Sequence, residues 1–464
     1  MLTMKFGGTS VGDLTRLNGV VSIVKQFMNE QPIVVASAMS GVTNTLLETA
    51  RKAVERKTGE VHLAVTALRD KHIHVAHELV KDNRRRAQLI KEQQAAIDEL
   101  AQLYHGIALL KELSPRSLDA IAAFGEILSC RQIAAILEEQ NINAQFVDAR
   151  SMIRTDSHFG EAAIDFEYSN KAIRETIVPL VKKGIVPVVT GFIASTEDGI
   201  TTTIGRSGSD YTGSIVGAAI DSREIWIWTD VDGVMTADPR VVKSAHVLPE
   251  ISYREAAEMS YFGAKVIHPK TMVPAIAKNI PIRIKNTFNP SHPGTLISSS
   301  SGANGHPVKT VTSIDNLAVI AIEGNGMIGV PGVSGRIFSA LARARVNVMM
   351  ISQASSEHNV CLIVPQKDSK TGVNVLRDEF RVDIAKKIID DVSVKEPVSI
   401  IAVVGEGMIG TKGIAGKTFD AVATADVNII AIAQGSSELN ISFVVEQQDA
   451  TKAVQAVHDA FYRN

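Results

Sequence analysis

One stretch of this chain returns, without a gap, further along. Gly326-Met327-Ile328-Gly329 recurs as Gly407-Met408-Ile409-Gly410, and the register holds through Gln353 and Gln434 to Glu357 and Glu438. About half of the positions between 326 and 364 are identical to their partners. Two glycine turns alike by chance would not keep one register over such a length, so the repeat demands two copies of one small unit. Each copy reads in the same order. A β-like run (317–322, then 398–404) is followed by a glycine turn, a helical stretch and a second β-like piece (346–353, then 427–434) that ends in Gln-x-Ser-Ser-Glu. With a closing strand this is an α+β unit of βαββαβ type.

The chain before the repeat follows another rhythm. Residues 32–38 (PIVVASA), 184–194 (GIVPVVTGFIA) and 223–230 (REIWIWTD) are apolar, β-branched runs that end in small or polar residues. They read as buried strands. Helical stretches such as 125–140 and 169–183 lie between them, and the alternation predicts an α/β domain with a mostly parallel sheet. Residues 46–113 interrupt the pattern. They are rich in Ala, Leu, Glu, Lys, Arg and Gln and predict a helical insertion. His72, His74 and His77 within it read as a solvated helix face, and Arg84-Arg85-Arg86 as a surface charge run. Residues 298–308 (SSSSGANGHPV) read as a linker.

Bulk numbers exclude several function classes. The formal net charge is -2, so no basic field argues for nucleic acid. Cys130 and Cys361 lack paired-ligand spacing, which disfavours a disulfide framework or a cysteine zinc site. No continuous apolar run of about 18 residues predicts a membrane span. The start has no apolar core of a signal peptide. The expectation is a cytoplasmic protein with reduced thiols.

Four segments carry the chemistry. Lys5-Phe6-Gly7-Gly8-Thr9-Ser10 ends a short first strand. Its glycines let backbone N–H groups approach phosphate oxygens, and Lys5 can neutralise phosphoryl charge. Gly205-Arg206-Ser207-Gly208-Ser209-Asp210 precedes a small-residue helix over 211–220, whose start favours anions. Asp210 could equally be that helix's N-cap, while Arg206 suits a carboxylate or phosphate. Thr229-Asp230-Val231-Asp232-Gly233 follows a strand at the end where open α/β sheets bind ligands, though an ordinary turn would look the same. Lys265-Val266-Ile267-His268-Pro269 offers a further cation.

In this order the segments resemble the aspartate kinase family of the amino-acid kinase superfamily. KFGGTS, Ser37-Ala38-Met39-Ser40-Gly41-Val42-Thr43-Asn44, Phe124-Gly125-Glu126, GRSGSD, TDVDGVMTADPR and FGAKVIHP carry the resemblance, and the repeat looks like paired ACT domains. Ser207 stands where many members have a second glycine, and Met235 where some have a tyrosine. The resemblance implies an amino-acid-kinase domain at 1–297, a linker at 298–313 and ACT-like modules at 314–395 and 396–464. It implies ATP-dependent phosphorylation of the L-aspartate β-carboxylate, with Mg²⁺ on the nucleotide and no nameable protein ligand for the metal; the alternatives are a kinase acting on glutamate or N-acetylglutamate, and an inactive amino-acid sensor. Lys5 and Asp210 would organise transfer. Ser37, Thr43, Glu126, Arg206 and Ser209 would contact aspartate. Gly7, Gly8, Thr229, Asp230, Arg240 and Lys265 would serve ATP. Asn347, Gln353, Asn428 and Gln434 would hold an effector, threonine before lysine. A homodimer or dimer of dimers would form through the paired modules.

Overall fold

The computed structural model describes residues 1–262, 267–300, 306–353, 355 and 358–463. The chain divides into two compact units. Residues 1–234, 249–253 and 266–300 make the first; residues 235–248, 254–265 and 301–464 make the second.

The first unit contains strands β1 (Leu2–Phe6), β2 (Pro32–Ala36), β3 (Ala144–Val147), β4 (Val186–Thr190), β5 (Ile193–Ser195), β6 (Thr201–Thr203), β7 (Glu224–Thr229), β8 (Glu250–Ser252), β9 (Ile282–Asn286) and β10 (Thr295–Ser298). Its helices are α1 (Leu14–Gln26), α2 (Val42–Val54), α3 (Thr58–Leu79), α4 (Asn83–Leu110), α5 (Pro115–Glu139), α6 (Phe166–Lys182) and α7 (Gly208–Ala219). Helix α8 (Tyr253–Tyr261) carries the chain out of this unit, and α9 (Pro269–Lys278) lies back within it.

Eight strands form one sheet in the order β3-β4-β2-β1-β7-β9-β10-β8. All its pairings are parallel except that of β10 with β9. The central strands β1 and β2 are buried along their whole length, which accounts for their unbroken apolar sequence. Phe6 pairs with both Ala36 and Trp228, and Ala36 with Thr190. The carboxyl ends of four strands therefore meet at one edge.

Helices α2, α3 and α4 are the predicted insertion, packed on α5. By length and composition α5 would reach across a membrane, but 83% of its apolar window is buried inside the structure, as befits a core helix. His72 corrects the expectation of a solvated face. His74 and His77 are exposed, as expected, but His72 is fully buried between α3 and α5, where Gln132 Nε2 donates to its carbonyl. Burial holds its imidazole neutral, with a pKa of about 4. The run 184–194 is also not one strand. It breaks at Phe192, whose φ of 67° is left-handed, and β4 and β5 on either side belong to different sheets.

The second unit holds strands β11 (Thr310–Glu323), β12 (Met350–Gln353), β13 (Asn359–Pro365), β14 (Asp391–Val404), β15 (Ala431–Gln434) and β16 (Asn440–Glu446). Its helices are α10 (Val333–Arg343), α11 (Ser369–Glu379), α12 (Arg381–Ala385), α13 (Ile414–Thr424) and α14 (Ala450–Tyr462). The sequence repeat is a structural repeat: Val333 and Ile414, Met350 and Ala431, and Asn359 and Asn440 open matching elements at the same constant offset. The strand-like pieces 346–353 and 427–434 are shorter than their composition suggests, because only Met350–Gln353 and Ala431–Gln434 pair.

The strands form a single six-stranded sheet, β12-β13-β11-β14-β16-β15. The long strands β11 and β14 lie antiparallel at its middle and cross between modules. Leu317–Glu323 pairs with β13, whereas Thr310–Ile314 pairs with Ile400–Val404. Val308 and Val311 accordingly sit in one core with Ile401, Val403 and Phe443. Ile389 and Val392 sit in the other core with Ile320 and Leu362.

Candidate active site

The strand ends of the first unit frame a cleft of about 830 Å³. On its floor, Lys5 near the end of β1 meets Asp210 in the first turn of α7, Nζ to Oδ1 2.5 Å, with both side chains largely buried. The turn after β1 is tight. Gly7 N–H donates to Trp228 O, and a Cβ on Gly8 would come within 3.0 Å of Ala38 O. No larger residue fits against that backbone without displacing it.

Two helices open onto the cleft. Helix α2 begins after Gly41 and α7 after Ser207, and neither start is capped by a side-chain hydrogen bond. Both leave first-turn N–H groups toward the cavity, at the positive end of each helix dipole. The structure shifts one sequence expectation here. Helix α7 starts at Gly208, so Ser209 and Asp210 lie inside its first turn, and Ser207 rather than Asp210 is the N-cap. Ser207 adopts φ 54°, the left-handed region, which gives a physical reason for the glycine common at this position.

Glu126, on α5, is 3% exposed and lines the cleft. Its Oε1 accepts the Ala38 N–H at 3.1 Å, and its Oε2 has no protein partner. Burial pushes its pKa up to about 8, against the pull of the Ala38 amide and the Lys5 charge. A Cβ on Gly125 would lie 2.7 Å from Ala38 Cβ, so the missing side chain lets α5 press on the Ser37–Ser40 loop. Arg206 is exposed within the cleft and makes no ion pair among the described residues. The cavity thus offers a buried carboxyl, a free guanidinium, a lysine and two helix starts. That set can hold a zwitterionic acid beside a phosphate chain.

Lys5, Gly8, Ser37, Thr43, Glu126, Arg206, Ser209, Asp210, Thr229 and Asp230 all line this one cavity. Gly7 sits behind it in the turn. Arg240 belongs to the second unit, where its highly exposed side chain is paired with Asp238. Lys265 lies outside the described residues. Sequence reasoning missed Gly160, Glu161 and Phe192, which also line the cleft. Their loops carry no motif, and the run 184–194 reads as one strand with no sign of the break at Phe192. In the second unit, Gln353 lines a cavity of about 310 Å³ with Val330, Ser334 and the start of α10. Asn347, Asn428 and Gln434 lie outside that lining.

The sequence pattern of the Amino acid kinase family matches residues 1–286. The chain belongs to that family. The ACT domain pattern matches residues 320–380 and 401–461, the two copies of the repeat. Aspartokinase 3, chloroplastic, of Arabidopsis thaliana is 34% identical over 475 residues, covering 99% of this chain and 81% of the relative. Bifunctional aspartokinase/homoserine dehydrogenase 1, chloroplastic, of the same plant is 39% identical over 99% of this chain but only 50% of the relative. The chain spans about half the length of the bifunctional plant relatives it matches. Among solved structures, E. coli aspartokinase III in complex with aspartate and ADP superposes with a TM-score of 0.80 at 31% identity, covering 100% of both chains. Within the amino acid kinase family the chain stands with the aspartokinases.

The left-handed residue at the start of α7 gives a stability test. Ser207→Gly relieves a conformation that costs an L-residue about 1 kcal/mol. The variant should unfold at higher denaturant concentration by about that amount, as read from urea titration with unchanged slope.

Proposed function

We propose that this protein is an aspartate kinase, transferring the γ-phosphoryl group of ATP to the β-carboxylate of L-aspartate to give 4-phospho-L-aspartate and ADP. The observation that carries the reading is the convergence of Lys5–Asp210, Glu126 and Arg206 on one cleft between two uncapped helix starts. The E. coli relative crystallised with aspartate and ADP supports it. The product would feed synthesis of lysine, threonine and methionine.

The chemistry asks for positioning more than for a base. An aspartate β-carboxylate with an ordinary pKa of about 3.9 is already ionised at neutral pH and can attack phosphorus directly. In this reading Glu126 receives the substrate ammonium on its free oxygen, and Arg206 receives a carboxylate. Ser37, Thr43 and Ser209 complete the acceptor side. Gly7, Gly8, Thr229 and Asp230 face the nucleotide. Lys5, held by Asp210, neutralises charge on the oxygens of the phosphoryl group in flight. A bound Mg²⁺ would supply further charge neutralisation on the nucleotide. Among the described residues no group of three or more His, Cys, Asp or Glu side chains converges on a possible metal position, and a Mg²⁺ carried in with the nucleotide would need no more than one or two carboxylates.

A coupled ADP-release assay across aspartate, glutamate and N-acetylglutamate tests the proposal. Turnover should require aspartate, and Lys5→Ala should lower kcat on the order of 10²–10³-fold. Near-normal kcat in that variant would remove Lys5 from the transfer centre.

Glu126 predicts a pH dependence with a definite sign. Its carboxyl, at about 8 in the empty site, is mostly neutral below that pH and a poor partner for an ammonium. Ammonium binding favours the ionised form, so aspartate affinity is lost as pH falls. Between about pH 6.5 and 8 the KM for aspartate should fall as pH rises, by up to about tenfold per unit. The KM for ATP should stay flat, and Glu126→Gln should raise the aspartate KM and erase its slope.

The Gln353 cavity supports feedback control by an amino acid bound to the repeat, threonine first, with Asn347, Asn428 and Gln434 as further contacts. Lysine is the alternative, favoured by a solved structure of E. coli aspartokinase III in complex with lysine and aspartate (TM-score 0.81, 30% identity). Matching exposed residues in the two copies, Ile328 with Ile409 and Ile351 with Ile432, suit a homodimer or dimer of dimers built on these modules. An inhibitor must bind the inactive arrangement more tightly than the active one. Activity titrated with threonine, lysine and methionine should fall with one of them and recover as aspartate rises, and Gln353→Ala should shift the midpoint upward. Indifference to all three would leave the repeat as an assembly device.

A further inference from the structure

Helix α5 carries a second buried carboxylate, two turns before Glu126. Asp119 is 3% exposed and fully bonded. Its Oδ2 accepts the backbone N–H groups of Gly160 and Thr203, each at 2.9 Å, and its Oδ1 accepts the Thr203 hydroxyl at 2.8 Å. All three donors are neutral, and among the described residues no cation pairs with it. Burying a charge in this way is expensive unless its hydrogen bonds are complete, and here they are.

The donors are placed tellingly. Gly160 and Glu161 form one wall of the cleft. Thr203 ends β6, just before Gly205-Arg206, which form another. The two walls are also bonded to each other, Ala162 N–H to Thr203 O at 3.0 Å. Gly205, at φ 84°, passes so close that a Cβ there would lie 3.2 Å from Glu161 Cγ. One helix therefore positions three parts of the pocket. Glu126 grips the Ser37–Ser40 loop through Ala38, and Asp119 grips the turn at 160 and the strand that delivers Arg206.

We propose that Asp119 is a positioning residue for the amino-acid acceptor, setting the distance between the Arg206 loop and Glu126. This rests on the acceptor reading given above. The bonding pattern makes a further demand. Each bond needs an oxygen facing two amides and a polar atom facing a hydroxyl that can also accept. An asparagine supplies both, with its oxygen on the amides and its NH₂ on Thr203 Oγ1. The geometry matters and the charge does not.

Asp119→Ala, Asp119→Asn and Thr203→Val test this, with far-UV dichroism and thermal melts checking the fold. Asp119→Ala should raise the KM for aspartate about tenfold or more and leave that for ATP within about twofold. Asp119→Asn should recover most of that loss. Thr203→Val, which removes one bond and keeps the shape, should give a smaller shift of the same sign, and it carries the test if Asp119→Ala does not fold. Amide hydrogen exchange should quicken in 160–163 and 203–207 together in the Ala variant. Unchanged aspartate KM and unchanged exchange would overturn the proposal. So would an Asn variant as impaired as Ala, because the charge would then be what counts. If the unmodified chain turns over no aspartate, the functional reading falls by itself, and the exchange data still decide whether Asp119 holds both walls.

Discussion

The first unit is organised around the ion pair of Lys5 with Asp210. Lys5 stands on a strand with neighbours on both sides and helices above and below, where a charge is costly unless matched. The match comes from a helix far along the chain. It can arrive only if α7 starts at the carboxyl edge of the sheet and lies close against β1. Gly213 permits that approach, since a Cβ there would lie 3.1 Å from Lys5 Cβ. Once α7 is fixed, its uncapped start, the left-handed Ser207 and the Arg206 loop follow. The pair is thus a condition of the fold as well as the centre of the proposed chemistry.

Helix α5 is the other fixed reference. Its apolar surface packs into both sides of the structure, with Phe124 and Leu128 in one core and Ala123 and Ile127 in the other. Two of its acids, Asp119 and Glu126, are nevertheless buried, and their heptad spacing puts them on one face. One is saturated by neutral donors and is structural in character. The other keeps an oxygen free and a raised pKa, as the proposed ammonium contact requires. Carboxyls on the same helix take opposite roles because of what surrounds them.

Much of this was legible in the sequence, and the remainder was hidden for identifiable reasons. The repeat set the second unit's element order, because an ungapped register maps helix onto helix. The buried stretches 32–36 and 225–228 announced themselves by apolar runs. Motif residues such as Lys5, Arg206 and Asp210 stood out because glycine neighbours are informative. Asp119, Glu161 and Phe192 sit in no such motif. The place of Glu161 and Phe192 in the cleft, and of Asp119 behind its walls, depends on pairing between distant parts of the chain. His72 looked like surface because periodicity shows which residues share a face, not whether a second helix covers it. The full length of β11 and β14 was equally invisible, since each half is stabilised by a partner in a different copy of the repeat.

That crossing of β11 and β14 separates the unit of sequence from the unit of folding. Thr310–Ile314 precedes the first copy in the chain but completes the sheet of the second, and Asp391–Lys395 does the reverse. A fragment trimmed to either copy of the repeat would lose a strand it needs and keep one it cannot use. The bared strand would be an open template for another chain. Duplication made the two copies alike, but strand exchange made them inseparable, so neither can be inherited, excised or transplanted as a free-standing part.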